Sequence, residues 1–321
     1  MSIGLAEHFS YNKLLRFVMP SVIMMIFTSI YGVVDGLFIS NFVGKTAFAA
    51  VNFIMPVTMG MSSVGFMIGS GGSALVAKTL GEGDSKKANV YFSTLVFFTV
   101  ICGVVLTAVG QIVLRPLAIA MGATADMLEP AVTYGRILLC SVTAFMLQNF
   151  FQTFFVTAEK PKLGLYVIVL AGVTNMVLDA LFIAVLKLGV SGAAFATAIS
   201  QVVGAVIPIV YFARKNSSLL KICKPKFEFK PLLKTITNGS SELMTNVSLS
   251  IVNILYNMQL LRFAGENGVA AYGTIMYVNF IFIAIFLGYS MGSAPLFGFT
   301  LVHNDMTNSK ICSKKACCSL E

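Results

Sequence analysis

Two aspartates, Asp35 and Asp179, lie inside segments that are otherwise apolar enough to cross a membrane. A charged carboxylate at bilayer depth costs at least a few kcal/mol. Such a residue persists where it is paired, protonated or facing a water-filled cavity, and it commonly marks an ion or proton pathway. The two aspartates are therefore the first candidates for binding and releasing a cation.

Polar residues accompany Asp179 on its own predicted helix and on the next one. Asn175 precedes Asp179 by four residues, so the two share a helix face. The next helix begins with small residues over 189–196, which permit close helix packing, and it carries Thr197 and Gln201 four residues apart. These groups indicate a small polar cavity, or else ordinary hydrogen bonds between helices. We favour the cavity because Asp179 has no obvious Lys or Arg partner within the spans.

Further polar side chains lie on the fourth and seventh predicted spans. They could contact a transported molecule, or they could join neighbouring helices; Glu242 could equally favour a helix N-terminus electrostatically. The possible substrate-lining residues are Gln148, Asn149, Gln152, Gln201 and Glu242.

Pro20 lies on the same predicted helix as Asp35, about 22 Å away at the helical rise of 1.5 Å per residue. A proline inside a helix removes a backbone hydrogen bond and permits a kink. Pro20 is therefore a candidate hinge that links protonation of Asp35 to bending of the helix; the alternative is a passive kink.

Composition places these residues in a membrane protein. The chain is 57% hydrophobic and 11% charged, with a mean hydropathy of +0.87, whereas soluble domains carry about 25% charged residues. The net charge of +9 does not indicate nucleic-acid binding, because the basic residues fall mostly in short loops between apolar spans. The six cysteines form no disulfide or metal pattern, and no nucleophile–base pair or metal cluster indicates an enzyme. We expect no cofactor.

Eight apolar segments are long enough to cross a bilayer, which needs about 20 residues per helix. They are 15–39, 50–77, 90–114, 131–157, 163–186, 193–213, 239–262 and 268–299. With the N-terminus inside, 17 of the 22 Lys and Arg lie on the inner side. The charge bias of membrane proteins then predicts a multi-pass protein of the cytoplasmic membrane with both termini in the cytoplasm.

A partial internal repeat relates the start of the chain to its last two spans. At an offset of 221 residues, eleven of the 47 pairs beginning at Ser29 are identical, among them Gly44 and Gly265. Both copies start on the same side, so the repeats are parallel, as in many two-lobed transporters. We predict an all-α polytopic fold with a six-helix amino lobe (1–213), a cytoplasmic, solvated inter-lobe loop (214–238) and two helices of an incomplete carboxy lobe (239–300).

After Thr300 the sequence becomes polar and rich in Cys and Lys, so residues 301–321 are expected to form an aberrant tail. A frame change in the coding sequence near residue 299 or a natural short tail would each produce this pattern. We expect the shortening to impair transport.

The motifs of the chain resemble the multidrug and toxic compound extrusion (MATE) family, within it the bacterial DinF-like and MepA-like branch. The resemblance rests on Tyr31-Gly-Val-Val-Asp35, on Met67-Ile-Gly-Ser-Gly-Gly-Ser, on Asn175-Met-Val-Leu-Asp179 and on Gly189-Val-Ser-Gly192 continuing to Thr197. It implies a two-lobed, twelve-helix antiporter that exports cationic or amphipathic drugs against H⁺ or Na⁺. It also implies that Asp35, Asn175, Asp179 and Thr197 form the cation site and that Pro20 is the kink of the first helix.

The resulting hypothesis is a cation-coupled exporter of small organic cations that contacts membrane lipids and binds no nucleic acid. One alternative is a flippase for lipid-linked precursors, disfavoured because few Arg or Lys lie within the spans. Another is a non-transporting membrane fragment or partner, favoured by the broken repeat. Self-association, the substrate and the choice between H⁺ and Na⁺ stay open.

Overall fold

The computed structural model describes residues 11–302. Every secondary-structure element in this part of the chain is a helix. The predicted tail at 303–321 lies outside the described residues. The helices are α1 Tyr11–Phe38, extended by a π-helical segment Ile39–Val43; α2 Lys45–Gly81; α3 Ser85–Ala120; α4 Ala125–Thr157; α5 Pro161–Asp179, extended by a π-helical segment Ala180–Val185; α6 Gly189–Ala213; and α7 Phe229–Val302. The all-α polytopic prediction is confirmed.

Seven helices of the described part are long and apolar enough to cross a membrane, and α7 supplies two crossings. Gly265 interrupts α7 with φ 61° and ψ −157°. Residues on the two sides of Gly265 contact each other. The ring of Tyr256 stacks on the ring of Tyr272 with their centres 5.5 Å apart, and Tyr272 Oη donates to Asn253 Oδ1 at 2.8 Å. In a straight helix residues 253 and 272 would lie about 28 Å apart. The chain therefore reverses at Gly265 into two antiparallel halves, α7a (229–264) and α7b (266–302).

The turn before α2 and the turn inside α7 each contain a glycine with a positive φ angle. Gly44 has φ 118° and Gly265 has φ 61°, a region that side chains with a Cβ rarely adopt. The two glycines are 221 residues apart, the offset of the sequence repeat. Both copies of the repeat therefore fold as a helix, a glycine turn and a helix.

Glycines allow the helices to approach closely. An ideal Cβ at Gly65 would lie 2.7 Å from Met146 Cα, so α2 and α4 touch backbone to backbone. A Cβ on Gly71 would meet backbone atoms of Thr235 and Gly239, which brings α7a against α2. On the other side, a Cβ on Gly288 of α7b would lie 2.6 Å from Val22 Cα in α1. Small residues at crossings are the usual way that helices associate within lipid.

The interior of the bundle is layered along the membrane normal. One apolar cluster lies toward the Gly44 turn and contains Phe48, Phe53 and Tyr134. A second cluster lies toward the opposite end, and its centre is a stack of Phe92, Phe150, Phe151, Phe154 and Phe212. Along α6, the buried Ser200 and Gln201 fall between members of the two clusters, whereas the buried polar residues of α4 mostly alternate with phenylalanines of the second cluster. We call the following buried polar side chains of α1, α4, α5 and α6 the polar layer: Asp35, Ser141, Gln148, Asn149, Gln152, Thr153, Asn175, Asp179, Ser200 and Gln201.

The connecting segment 214–228 is mostly exposed, and it is also held against α3. Its backbone N–H groups at Lys221, Cys223 and Lys226 donate to side chains of α3 at 2.7, 2.8 and 3.0 Å. The acceptors are Asn89, Ser93 and Thr94. Periodicity within the loop does not reveal this docking, because the acceptors lie about 130 residues away in the chain.

Helix α7 also starts at Phe229, ten residues before the predicted span at 239. Pro231 lies within this additional stretch of helix. A proline in the first turn loses no hydrogen bond, because the N–H groups there have no partner within the helix in any case. Pro231 is the third residue of α7 and is therefore compatible with its start.

Three turns at the Gly44 end of the bundle meet at one carboxylate. Glu266, directly after the α7 turn, accepts hydrogen bonds from Thr46 Oγ1 at 2.9 Å and Thr124 Oγ1 at 2.7 Å. Thr46 lies in the first turn of α2, and Thr124 caps α4 by accepting from Met127 N. Helix N-termini favour negative charge. Glu266 thus ties α7 to α2 and α4 at this end.

Candidate functional site

Asp35 of α1 and Asp179 of α5 lie side by side in the polar layer. They are 4% and 0% exposed, and their carboxyl groups are close enough to interact directly. Helices α1 and α5 pack against each other and bring the two residues together. The sequence predicted both residues as cation ligands on separate helices. In the structure their carboxyl groups lie next to each other.

A π-helical segment begins at or just beyond each aspartate. Asp179 is the last α-helical residue of α5 and caps the segment Ala180–Val185, while Asp35 lies one turn before the segment Ile39–Val43. The two π-helical segments contact each other. Such segments are uncommon and occur frequently at functional sites, because they shift the register of the side chains that follow. Periodicity of hydrophobic residues does not reveal them.

Three of the four carboxyl oxygens of the pair have no hydrogen-bond donor. Asp35 Oδ1 and both carboxylate oxygens of Asp179 are buried without a hydrogen-bond partner. Two ionised carboxylates cannot donate to each other, so their adjacent oxygens present a site that a positive ion or a shared proton would satisfy. Neither aspartate has a Lys or Arg partner in the described part of the chain.

Asn175 and Thr197, the other two predicted cation ligands, complete the oxygen-rich side of the site. Asn175 Nδ2 points to Thr197 Oγ1 at 3.4 Å, across the α5–α6 contact. This leaves Asn175 Oδ1 buried and unpartnered. Together with the carboxyl groups it offers oxygen ligands, the donor type that hard cations such as Na⁺ prefer. The four predicted residues are therefore brought together.

Three tyrosines that the sequence argument did not single out as ligands surround the pair. Tyr31 lies one turn before Asp35 on α1, and its hydroxyl is beside Gln148. Tyr134 of α4 faces Thr197. Tyr277 comes from α7b, with its ring 2.8 Å from the position of a Cβ on Gly36 and 6.0 Å from the ring of Phe48. Of the three tyrosines, only Tyr31 could have been identified from the sequence, because it lies four residues before Asp35 on the same helix.

The predicted substrate-lining residues separate into two groups. Gln148, Asn149, Gln152 and Gln201 are buried in the polar layer. Gln148 packs at 2.8 Å against the Cβ position of Gly204, and Gln201 accepts from Ser141 Oγ at 2.7 Å. Some of these atoms join helices, as the alternative interpretation held, whereas Gln148 Oε1 and Asn149 Nδ2 have no partner.

Glu242 and Pro20 lie away from the acid pair. Glu242 is half-buried and lines a narrow hollow between the amino-lobe helices and α7, together with Thr153 and Ser70. Pro20 lies within α1, which continues as a helix through it, and it borders a surface hollow beside Lys162 and Tyr166. The hinge role of Pro20 remains a prediction.

Known proteins share this architecture. Residues 20–181 match the MatE family model. The chain is 24% identical over 295 residues to the multidrug export protein MepA of Staphylococcus haemolyticus, covering 92% of this chain and 65% of that protein. It is 25% identical over 278 residues to the probable multidrug resistance protein YoeA of Bacillus subtilis, covering 84% and 59%.

The fold is similar to that of solved transporters. A multidrug resistance MATE family transporter in an outward-facing conformation superposes with a TM-score of 0.86 at 25% identity, covering 96% of this chain and 69% of that one. The chain spans less than two thirds of the length of MepA and of YoeA, the two curated relatives described above. The predicted resemblance to multi-pass transporters is confirmed, and the family that matches consists of transporters and not of enzymes, as the sequence predicted.

Proposed function

Because the chain belongs to the MatE family, we propose that it acts in cation-coupled export, exchanging H⁺ or Na⁺ for an organic compound across the cytoplasmic membrane. The observation that carries the proposal is the pair Asp35–Asp179, buried together inside the helix bundle with unpartnered carboxyl oxygens. Keeping two carboxyl groups in such a place has a cost that a structural role does not explain. Binding and release of a cation there would explain it.

Asp35 and Asp179 would bind the cation, with Asn175 and Thr197 as further oxygen ligands. The residues fit H⁺, which the two carboxyl groups could share, and Na⁺, which the same oxygens could coordinate. When the cation leaves, two adjacent negative charges repel each other, and α1 and α5 must adjust. Pro20 would permit α1 to bend in response.

Helix α7b gives the acid pair a physical link to the second lobe. Tyr277 packs against Gly36, one residue from Asp35, and Ser29 Oγ of α1 donates to the Phe280 carbonyl at 3.2 Å. Any shift of α1 therefore displaces α7b. We propose the predicted division into an amino lobe (1–213), a connecting segment (214–238) and part of a carboxy lobe (239–300) as the two bodies that move.

The exported compound would occupy the space between these bodies. Two hollows lie between α2 and α7, and both include Asn246. In this conformation both are narrow, so the two bodies would have to move apart to admit the compound. The hollow beside Glu242 has the carboxylate that would attract an organic cation, which is the substrate class we propose together with neutral amphipathic compounds. The bias of basic residues toward one side of the spans supports a cytoplasmic position for both termini.

The proposal is tested with the purified chain in lipid vesicles that contain a fluorescent organic cation. We expect a proton or sodium gradient to drive movement of the dye against its concentration, and dissipation of the gradient to stop it. A parallel assay measures transfer of a fluorescent lipid between leaflets. Dye movement that ignores both gradients, or lipid transfer without dye movement, would contradict cation-coupled drug export.

A further inference from the structure

At the end of the bundle opposite Gly44, the connecting segment and the start of α3 form one basic surface. Residues 214–230 contain a single acidic residue, Glu228, and six exposed basic ones: Arg214, Lys215, Lys221, Lys224, Lys226 and Lys230. Residues 82–94 add Lys86 and Lys87, which are exposed in the first turn of α3, and the acidic Glu82 and Asp84 just before it. The two stretches together carry eight basic and three acidic side chains.

Hydrogen bonds hold the connecting segment along α3 in one position. Lys221 N donates to Asn89 Oδ1 at 2.7 Å, and Lys226 N donates to Thr94 Oγ1 at 3.0 Å. Thr94 Oγ1 in turn donates to the Lys226 carbonyl at 3.1 Å. Asn89 and Thr94 are about 7.5 Å apart along the helix axis. The lysines of the segment therefore lie beside the first turns of α3.

Most of the positive charge on this surface is unmatched. The ring of Tyr91 lies 5.8 Å from Lys87 Nζ, and Lys226 is near the same residue, so lysines from α3 and from the segment meet there. Lys226 pairs with Glu228 at 2.9 Å. The other lysines of the segment take part in no ion pair among the residues that the structure describes. They are free to bind an external anion.

Apolar side chains beside the lysines place this surface at the boundary of the lipid. Phe227 and Phe229 are 53% and 78% exposed. On α3, the exposed Phe97 lies about one turn beyond Thr94, and Ile101 continues the exposed apolar face toward the centre of the span. Segments that lie at a membrane surface combine exposed aromatic residues with Lys and Arg in this way.

We propose that the basic surface, residues 82–94 and 214–230, binds the headgroups of anionic phospholipids in the leaflet that it faces. Charge complementarity identifies the partner, because clusters of Lys and Arg next to a membrane-spanning helix attract anionic lipid. A zwitterionic headgroup also offers a phosphate, but it adds a positive charge that the lysines repel. Since the segment leads directly into α7 at Phe229, a lipid held there would fix the start of α7 against the membrane surface.

A single new fluorophore tests the proposal. The chain contains no tryptophan, so Phe227→Trp adds an indole at an exposed position of the surface. The full 321-residue variant is placed in vesicles of phosphatidylcholine with a minority of phosphatidylglycerol. Bromine atoms, which quench tryptophan on contact, are carried on the acyl chains either of the phosphatidylglycerol or of an equal amount of the phosphatidylcholine. The headgroup composition is thus identical in both samples.

We expect phosphatidylglycerol to be enriched beside the indole about fivefold over random mixing, the effect of one basic residue at an anionic surface. Brominated phosphatidylglycerol should therefore quench more strongly than the same amount of brominated phosphatidylcholine. Salt at about 1 M shortens the screening length to about 3 Å and should remove the difference. Equal quenching by the two lipids at low salt, quenching by neither, or a preference that survives high salt would overturn the proposal.

Charge variants in the Phe227→Trp background assign the preference to the surface. Lys221→Gln with Lys224→Gln should bring the lipid beside the indole close to random mixing, whereas Lys221→Arg with Lys224→Arg keeps the charges and should keep the preference. Lys45→Gln with Lys187→Gln removes the same charge from exposed positions at the Gly44 end and should also keep it. Loss of the preference in this control as well would contradict the assignment.

The experiment is independent of the proposed export function. Lipid quenching requires only that the chain spans the vesicle membrane, and it uses neither an ion gradient nor a transported compound. A failure of export therefore leaves the lipid result unchanged, and a failure of lipid selection leaves the export proposal unchanged.

Discussion

Replacing Asp179 with asparagine is expected to abolish accumulation of an organic cation against its gradient. A tenfold ion gradient stores about 1.4 kcal/mol per ion, enough for about tenfold accumulation if one cation is exchanged per molecule. Asparagine keeps the size of the side chain and removes its charge, so it cannot exchange a cation. Dye in vesicles with the variant should equilibrate to equal concentrations, as measured by fluorescence after a pH or sodium jump.

Asp126 provides the matched control for this experiment. It lies exposed in the first turn of α4, outside the polar layer. Asp126→Asn removes the same charge from the chain and should leave accumulation unchanged. If Asp179→Asn accumulates dye as the wild type does, then Asp179 does not couple the gradient to export.

A methyl group at Gly65 is expected to destabilise the bundle by about 2–3 kcal/mol, the upper range for overpacking. The added Cβ would lie 2.7 Å from Met146 Cα and 2.8 Å from the Met146 carbonyl oxygen. These are backbone atoms, which cannot move aside as a flexible side chain can, so α2 and α4 must separate. Gly65→Ala should lower the temperature at which the chain loses its monodisperse peak in size-exclusion chromatography.

Gly32→Ala is the comparison that isolates the packing effect. Nothing lies within 4 Å of a Cβ at Gly32, and alanine is the better helix former. This variant should be as stable as the wild type or more stable. Equal loss of stability in both variants would show that helical glycines matter here for a reason other than the α2–α4 contact.

The sequence predicted the helices and the buried acidic residues better than it predicted what surrounds them. Apolar length identified the crossings, and the cost of a carboxylate in lipid identified Asp35 and Asp179. The residue spacing within α5 also put Asn175 on the correct face. Each of these properties is local to one helix, and a single sequence shows it directly.

What the sequence did not predict depends on contacts between distant segments. Tyr277 reaches the acid pair because α7b packs on α1 at Gly36, and no pattern within α7 indicates this. The docking of 214–228 on α3 and the meeting of Glu266 with Thr46 and Thr124 are of the same kind.

The sequence did not predict the π-helical segments either, for a different reason. They depend on one extra residue within a turn, and Ile39–Val43 and Ala180–Val185 are as apolar as the helices they extend. Their positions just after the two aspartates become evident only from the backbone. A shift of register at these segments would turn the aspartates relative to the rest of α1 and α5.

Cation binding by the purified chain tests the central claim most directly, because it requires neither a substrate nor a complete translocation path. Proton release and ²²Na⁺ retention would be measured on the wild type and on the double variant Asp35→Asn/Asp179→Asn, with Asp126→Asn as the control. The account predicts that the wild type and the control bind a cation that the double variant does not bind. Equal H⁺ and Na⁺ binding by all three proteins would contradict it.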